Sequence, residues 1–277
     1  MMKAQLARAS GDRGTTPVLP IVCLASGEMN GLADLYIRRL HAMLQAQMVR
    51  PFKLHCYTDR QRDLPGTIEQ HDCAAWDVFA RHGEHPTLRK LALFDPERVA
   101  FDEFLYLDLT LVIRKPLEPL VEFALQHPAA LLTVRDWHHP GSNSSVMRIR
   151  KGPLHAIPAA YLEGRRYRQL IPGDQDYLNE AARDLGLTSL IEHFPDGMVI
   201  SYKQTNRIGR KYPAQARKMI HDAFIVKFHG RPRMNTVFTP MQRLLRSRLE
   251  AWLYGQWKSP IPLDELRAAW LVESVRH

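Results

Sequence analysis

LYLDLTLVI, Leu105 to Ile113, decides how this chain is read. The run is apolar apart from one carboxylate, Asp108, set where the run is about to end. Desolvating an unpaired carboxylate costs several kcal/mol, so a buried strand rarely accepts one. An aspartate in this place belongs at the carboxyl edge of a strand and faces a cleft. In open α/β sheets that edge is where ligands bind. The run therefore predicts a strand with a site at Asp108.

Outward from this run, strand and helix patterns alternate. Before it, Pro20 to Ala25 (PIVCLA) reads as a strand, and residues 30–48 place Leu32, Leu35, Tyr36, Leu40, Met43 and Leu44 at helical spacing. Phe52 to Thr58 (FKLHCYT) reads as a second strand ending at Asp59, and Thr87 to Phe94 as a short helix stopped by Asp95-Pro96. After it come a helix over 117–126, strands over 130–134 and 144–149, and helices over 153–162 and 174–184. Short strands follow over 189–194, 198–202 and 223–228, with Asp196-Gly197 read as a hairpin turn. Such alternation predicts an α/β sheet covered on both faces. The start is Rossmann-like, but no G-x-G-x-x-G follows the first strand, so the dinucleotide fingerprint is absent. No internal repeat is present.

Composition narrows the class. The chain has 277 residues, enough for one large α/β domain or two small ones. Its 45% hydrophobic and 24% charged content is that of a soluble globular protein. No apolar run approaches the ~20 residues of a membrane-spanning helix. Residues 1–18 are polar and expected to be disordered; they contain no apolar signal core, so the expected location is cytoplasmic. Cys23, Cys56 and Cys73 are odd in number and form no C-x-x-C, which indicates neither a disulfide framework nor a zinc site and fits a reducing compartment. His82 and His85 form an H-x-x-H that reads as two loop histidines. The net charge of +9 favours acidic partners, but the basic residues are spread and match no nucleic-acid module. From Pro240 onward, Met241, Leu244, Leu245, Leu249, Trp252 and Leu253 make one helical face with Arg243, Arg246 and Arg248 off it. This basic amphipathic helix either packs on the core or docks peripherally on an anionic membrane surface.

Four segments carry a family resemblance, in order along the chain. FLYLDLTLVIRKPLEPL (Phe104 to Leu120) resembles the metal-binding segment of GT-A-type glycosyltransferases, where an apolar strand ends in D-x-D. More narrowly it is similar to the glycogenin-like and lipopolysaccharide-galactosyltransferase-like enzymes and their bacterial relatives. Asn143 to Met147, GDQDYLN (Gly173 to Asn179) and KFHGRPRMN (Lys227 to Asn235) resemble three further segments of that family. The resemblance implies a GT-A-type, Rossmann-like mixed α/β sheet flanked by helices over residues 19–237, with a C-terminal helical extension over 238–277. It implies transfer of a sugar from a nucleotide-diphosphate donor, with a UDP-sugar favoured, to a hydroxyl on a glycan or lipid-linked acceptor in bacterial surface glycan synthesis.

By the same resemblance, Asp108 and His229 would hold manganese or magnesium, which neutralises the departing diphosphate. Here the second aspartate of D-x-D is Thr110. A threonine brings no charge, which leaves three routes: weaker metal binding, a substitute carboxylate, or cationic side chains without metal. Arg114, Lys115, Lys227 and Arg231 are available for the last. Asp174 and Gln175 would lie at the donor sugar beside the anomeric carbon; Asp174 is also a good helix N-cap. Asn143 and Ser144 would contact sugar or diphosphate, and Trp137 would stack on a sugar face or be half-buried. Lys90 and Gly230 match donor-proximal positions. Ser26, Thr58 and Asp59 end the first two strands, where base or ribose would be read, and Lys203 reads as either a phosphate contact or a surface lysine. Two other readings stand beside this one: a catalytically silent sugar-nucleotide-binding relative, and a basic nucleic-acid or membrane-binding module.

Overall fold

The computed structural model describes residues 17–272 except 28, 30, 81–83, 169–172, 231–232 and 239–262. The elements in chain order are β1 (Leu19–Ala25), α1 (Ala33–Gln47), β2 (Phe52–Thr58), β3 (Ile68–Asp72), 3-10 helices at Ala74–Phe79 and Pro86–Phe94, β4 (Glu103–Leu107), β5 (Leu111–Ile113), α2 (Glu118–Gln126), β6 (Leu131–Arg135), β7 (Ser142–Arg150), α3 (Ala156–Leu162) and α4 (Asp174–Asp184). A 3-10 turn at Thr188–Leu190 leads into β8 (Ile191–His193), then β9 (Val199–Ser201), α5 (Tyr202–Lys211), α6 (Pro213–Asp222), β10 (Ile225–Lys227), α7 (Met234–Val237) and α8 (Leu263–Trp270).

Seven strands form one mixed sheet in the order β3-β2-β1-β4-β7-β6-β8. The first four are parallel; β7 runs antiparallel to β4 and β6. Side chains of β4 alternate between two cores, as a period-2 strand requires. Leu105 and Leu107 enter the core under α1 and α2, whereas Phe104 and Tyr106 enter the one under the 3-10 helices, α3 and α4. β1 splits likewise, with Ile21 and Cys23 on one side and Val22 on the other. Helix α1 turns Tyr36, Ile37, Leu40, Met43 and Leu44 inward, the i, i+3, i+4 stripe of a surface helix.

The 105–113 run is two strands, not one. β4 stops at Leu107, residues 108–110 turn, and β5 joins a second, three-stranded sheet, β5-β10-β9. The carboxylate is the point of departure: Asp108 keeps one backbone bond to β7 (N to Ser145 O, 2.9 Å) and the chain then leaves for β10. The Asp196-Gly197 turn forms, yet it is no hairpin, because β8 belongs to the large sheet and β9 to the small one.

Three elements carry little signal in the sequence. β3 (IEQHD) buries only Ile68, and α5 (YKQTNRIGRK) buries only Tyr202, Thr205 and Asn206, so neither has an apolar stripe to read. α5 is started instead by Ser201, whose Oγ accepts the Gln204 N–H at 3.1 Å. α6 comes directly after it. The amphipathic stretch from Pro240 lies outside the described residues, as do His82 and almost all of residues 1–18. Beyond that stretch, α8 packs back on the core. Trp270 meets Tyr36 edge-on, Arg39 lies over its ring, and Glu265 pairs with Arg114 at 3.0 Å. No described helix is long and apolar enough to cross a membrane.

On the outer strands, His55 and His71 share a ring-nitrogen hydrogen bond of 2.9 Å with Glu69 3.7 Å from each, which pins edge strand β3 to β2. Burial, aided by His71 and Lys53 and opposed by Glu69, pulls the His55 imidazole down to about 4. An unfolded chain protonates this residue near ~6.5, so below that pH the unfolded state takes a proton that the fold refuses. Stability from His55 is therefore complete above about 6.5 and is lost as the pH falls towards 4. The expected loss is about 3 kcal/mol by pH ~4. Urea unfolding across this range, in the chain and in His55→Gln, measures it; parallel pH profiles for the two would refute it.

Candidate active site

The carboxyl ends of the parallel strands converge on one cleft of about 240 Å³. Ser26 after β1, Lys90 and Thr87 from the second 3-10 helix, and Tyr106, Asp108 and Thr110 around the end of β4 line it. Strand parity aims the charge. Tyr106 and Asp108 are two residues apart, so Asp108 follows Tyr106 towards the 3-10 helices and α4, and the Tyr106 hydroxyl donates to Asp108 Oδ1 at 2.8 Å.

Two lysines clamp this carboxylate. Lys227, the last residue of β10, places Nζ 2.5 Å from Asp108 Oδ2 and 2.5 Å from Thr110 Oγ1. Lys90 places Nζ 2.9 Å from Asp108 Oδ1 and 3.7 Å from Asp174 Oδ2, and sits 5.5 Å from the Tyr106 ring centroid. Burial alone would raise the Asp108 carboxyl, but Lys227 and then Lys90 outweigh it and hold it well below the usual carboxylate range. Burial also depresses both lysines. Asp108 and Asp174 reverse this for Lys90, whose net shift is upward, while Lys227 stays lowered. The side chains of Lys90, Asp108, Asp174 and Lys227 are only 11%, 17%, 8% and 8% exposed, so two positive and two negative groups share one nearly dry site.

Asp174 is not the helix N-cap. That position is Gly173, with φ 154°, and it makes no side-chain cap. Asp174 is the first residue of α4, and its carboxylate accepts from the Ser144 hydroxyl and turns to Lys90. Next to it, Asp136 gathers a polar web. Its Oδ2 accepts from Asn143 Nδ2 at 3.0 Å and Gln175 Nε2 at 2.8 Å, and its Oδ1 accepts the N–H groups of His138 and His139. Asn143 also donates to Gln175 Oε1 at 2.9 Å, so these two amides hold each other as well as Asp136. Gly141 is required beside them: with φ 119°, a Cβ there would lie 2.9 Å from the Asn179 side chain, which bonds Ser142.

Several residues singled out in the sequence do other work. Thr58 and Asp59 are tied to Arg62, whose side chain is fully buried. Its Nε donates to Thr58 Oγ1 at 2.5 Å and its Nη2 to Asp59 Oδ1 at 2.9 Å, while Asp59 Oδ2 accepts the Gly27 N–H at 2.7 Å. They brace the loop after β1, with the Asp59 side chain still 30% exposed. Arg114 and Lys115 donate to the carbonyls of Ile220 and His221 at the end of α6, away from Asp108. Lys203 is exposed on α5. Gly230 follows His229 with φ 66°, and Arg231 lies outside the described residues. Trp137 stacks parallel on His229, with ring centroids 5.9 Å apart. Asp136, Arg62 and Tyr106 were not anticipated. Asp136 had the same signal as Asp108, an acid at the end of an apolar strand; Arg62 had none.

The donor set does not fit a divalent cation at Asp108. Among the described residues, Asp108 and His229 belong to no group of three or more convergent ligand atoms; only His55, Glu69 and His71 form one. His229 Nε2 is engaged by the Ser201 hydroxyl at 2.6 Å. Both Asp108 oxygens already accept from charged or hydroxyl donors: Lys227 at 2.5 Å on Oδ2, and Lys90 at 2.9 Å with Tyr106 at 2.8 Å on Oδ1.

No family model and no curated protein sequence matches the chain. Solved structures do. The galactosyltransferase LgtC, in complex with donor and acceptor sugar analogues, superimposes with a TM-score of 0.54 at 15% identity, covering 91% of this chain and 100% of that one. The apo glycosyltransferase GlyE of Streptococcus pneumoniae TIGR4 gives 0.55 at 16% identity, over 95% of this chain and 65% of that one. The bifunctional glycosyltransferase WbbM, also apo, gives 0.53 at 11% identity, over 86% of this chain and 51% of that one. Likeness at such low identity is likeness of architecture, and with its mixed seven-stranded sheet and flanking helices the chain has the GT-A glycosyltransferase fold.

Proposed function

We propose that this protein transfers a glycosyl group from a nucleoside-diphosphate sugar to a hydroxyl acceptor. The observation that carries the reading is the Lys90–Asp108–Lys227–Asp174 cluster at the carboxyl edge of a GT-A sheet. Burying four charges is a poor way to gain stability, since apolar residues of similar volume commonly do as well or better. Their retention beside an open cleft favours a ligand of concentrated negative charge. A diphosphate is such a ligand. As the bond between the anomeric carbon and the diphosphate oxygen breaks, that oxygen keeps the electron pair, and the hydroxyl oxygen of the acceptor bonds to the carbon. Preorganised ammonium groups stabilise the charge that develops on the leaving group. Asp174, held by Ser144 and facing Lys90, is the acid placed to orient the donor sugar. Asn143 and Gln175, bonded to each other and to Asp136 beside it, act as positioning residues.

The test is release of free nucleoside diphosphate from a panel of UDP-, GDP- and dTDP-sugars, followed by chromatography. One donor is expected to turn over, and Asp174→Asn to lose that turnover while the variant remains folded under the assay conditions. Thermal stabilisation by a nucleotide sugar with no turnover of any donor would leave a binding protein. Salt-sensitive binding to DNA or RNA, with no response to any nucleotide, would sink the reading altogether.

A further inference from the structure

We propose that the ammonium group of Lys227, seated between Asp108 and Thr110, takes the place of a divalent cation and supplies the single positive charge Asp108 needs, so that this chain grips a diphosphate without metal. The inference rests on the glycosyltransferase reading and refines its site. Three observations lead to it.

The first is charge. An aspartate pair needs a dication for neutrality, whereas Asp108 with the neutral Thr110 needs a single positive charge. Lys227 supplies one at 2.5 Å from both oxygens. Lys90 and Asp174 form a second balanced pair beside it. Adding a dication would leave the site with an excess of two positive charges; adding aspartate at 110 would leave a deficit of one.

The second is valence. An ammonium has three N–H donors and no acceptor. Lys227 spends one on Asp108 and one on Thr110, and these two acceptors fix where the third points. Among the described residues the third donor has no partner, and the two acceptors that hold the ammonium, Asp108 and Thr110, both line the cleft where an anion would meet it. A clamped cation with an open position is the arrangement that a catalytic metal offers.

The third is support from the fold. Lys227 ends β10, which is locked against β5 in register, Lys227 opposite Leu111, and Phe228 N donates to Thr110 O at 2.9 Å. The segment that carries Thr110 and the strand that carries Lys227 are therefore one rigid unit. The two side chains face each other because the backbone holds them there. Replacement of an acid by threonine and the presence of a lysine across the ladder answer each other chemically.

The experiment measures binding rather than turnover. UDP, GDP and dTDP are titrated calorimetrically into the purified full chain in EDTA and in manganese chloride. Manganese binding is followed independently by the electron paramagnetic resonance signal of the free ion. The expected result is that the nucleotide that binds does so equally well in EDTA, and that the protein leaves the free manganese signal intact. Lys227→Met is expected to weaken the diphosphate about tenfold or more, and the corresponding nucleoside far less, because only the phosphates meet the ammonium. The pair Lys227→Met with Thr110→Asp restores an aspartate pair and is expected to bind manganese and to need it for diphosphate. Binding by the unaltered chain that requires manganese would overturn the inference and leave the glycosyltransferase reading standing. So would an unchanged diphosphate affinity in a folded Lys227→Met. Failure of every nucleotide in both buffers would overturn that reading and this inference together. The EDTA comparison and the manganese signal use the unaltered chain, so poor folding of a variant does not block the decision.

Discussion

Asp108→Asn is expected to cost about 3–5 kcal/mol of unfolding free energy, an effect seldom seen for a change of one atom type. The reason is what it leaves behind. The carboxylate is the counter-charge of Lys227 at 2.5 Å and of Lys90 at 2.9 Å, and both side chains are almost wholly removed from water. An amide returns a dipole where two ammonium groups need a charge. Lys90 still has Asp174 at 3.7 Å, whereas Lys227 keeps only the Thr110 hydroxyl. Pairing Asp108→Asn with Lys227→Met should therefore be less damaging than Asp108→Asn alone, because it removes the stranded cation. Urea unfolding of the three proteins checks both statements; an Asp108→Asn midpoint within error of the unaltered chain would show the cluster to be solvated and unimportant. In a turnover assay the same substitution is expected to lower nucleotide release by ~10²–10³-fold, the scale of losing an organised electrostatic group.

Arg148→Met should be comparably severe, for a reason unconnected with chemistry on a ligand. Arg148 lies on β7 and is fully buried. Its Nε donates to Ala124 O at 2.9 Å, one Nη to Ala129 O at 2.6 Å and the other to His127 O at 2.8 Å, with Glu103 3.4 Å away. It thus closes the carboxyl end of α2, where carbonyls lack helical partners and the helix dipole favours a cation. Burial is the main influence on the guanidinium, followed by Arg150, and it pulls the group down to about 10, so the charge is retained at neutral pH. Methionine fills much of the volume but strips the buried Ala124 carbonyl and the part-buried His127 carbonyl of this donor and leaves Ala129 O only the longer Arg150 bond of 3.4 Å, at an expected loss of about 3–5 kcal/mol. Arg148→Lys should recover little, since one ammonium cannot span acceptors that a planar fork reaches. Chemical denaturation measures this, and a loss below about 1 kcal/mol would mean that water replaces the guanidinium. Because β7 also carries Asn143, Ser144 and Ser145, a folded Arg148 variant is expected to lose nucleotide binding in step with stability.

The strands that build the parallel sheet were legible because their chemistry is local. PIVCLA and FKLHCYT are apolar runs bounded by polar residues, and they form β1 and β2 within one residue of the expected limits. α4 begins at Asp174 and ends at Asp184 as its pattern requires. β3, α5 and α6 were not legible. The single buried residue of β3 and the three of α5 say nothing about periodicity, and these segments are held by neighbours: β3 by pairing with β2, α5 by the Ser201 cap and by packing on α6. The break at Asp108 was half legible. The acid marked an edge, but nothing in the run says that residues 111–113 cross to another sheet, since both halves are equally apolar.

The sequence by itself determined the α/β alternation, the acid at the carboxyl edge of β4, and the absence of a charge at Thr110, because each is set by residue type and spacing along a few neighbouring positions. Which cation answers Asp108 was a tertiary decision. Arg114 and Lys115 are six and seven residues from Asp108 and turn to the end of α6, while Lys227, more than a hundred residues away, reaches the carboxylate. The physical reason is the ladder between β5 and β10: it fixes where each side chain emerges, and electrostatics in a nearly dry site then acts on the groups the backbone has brought within bonding distance.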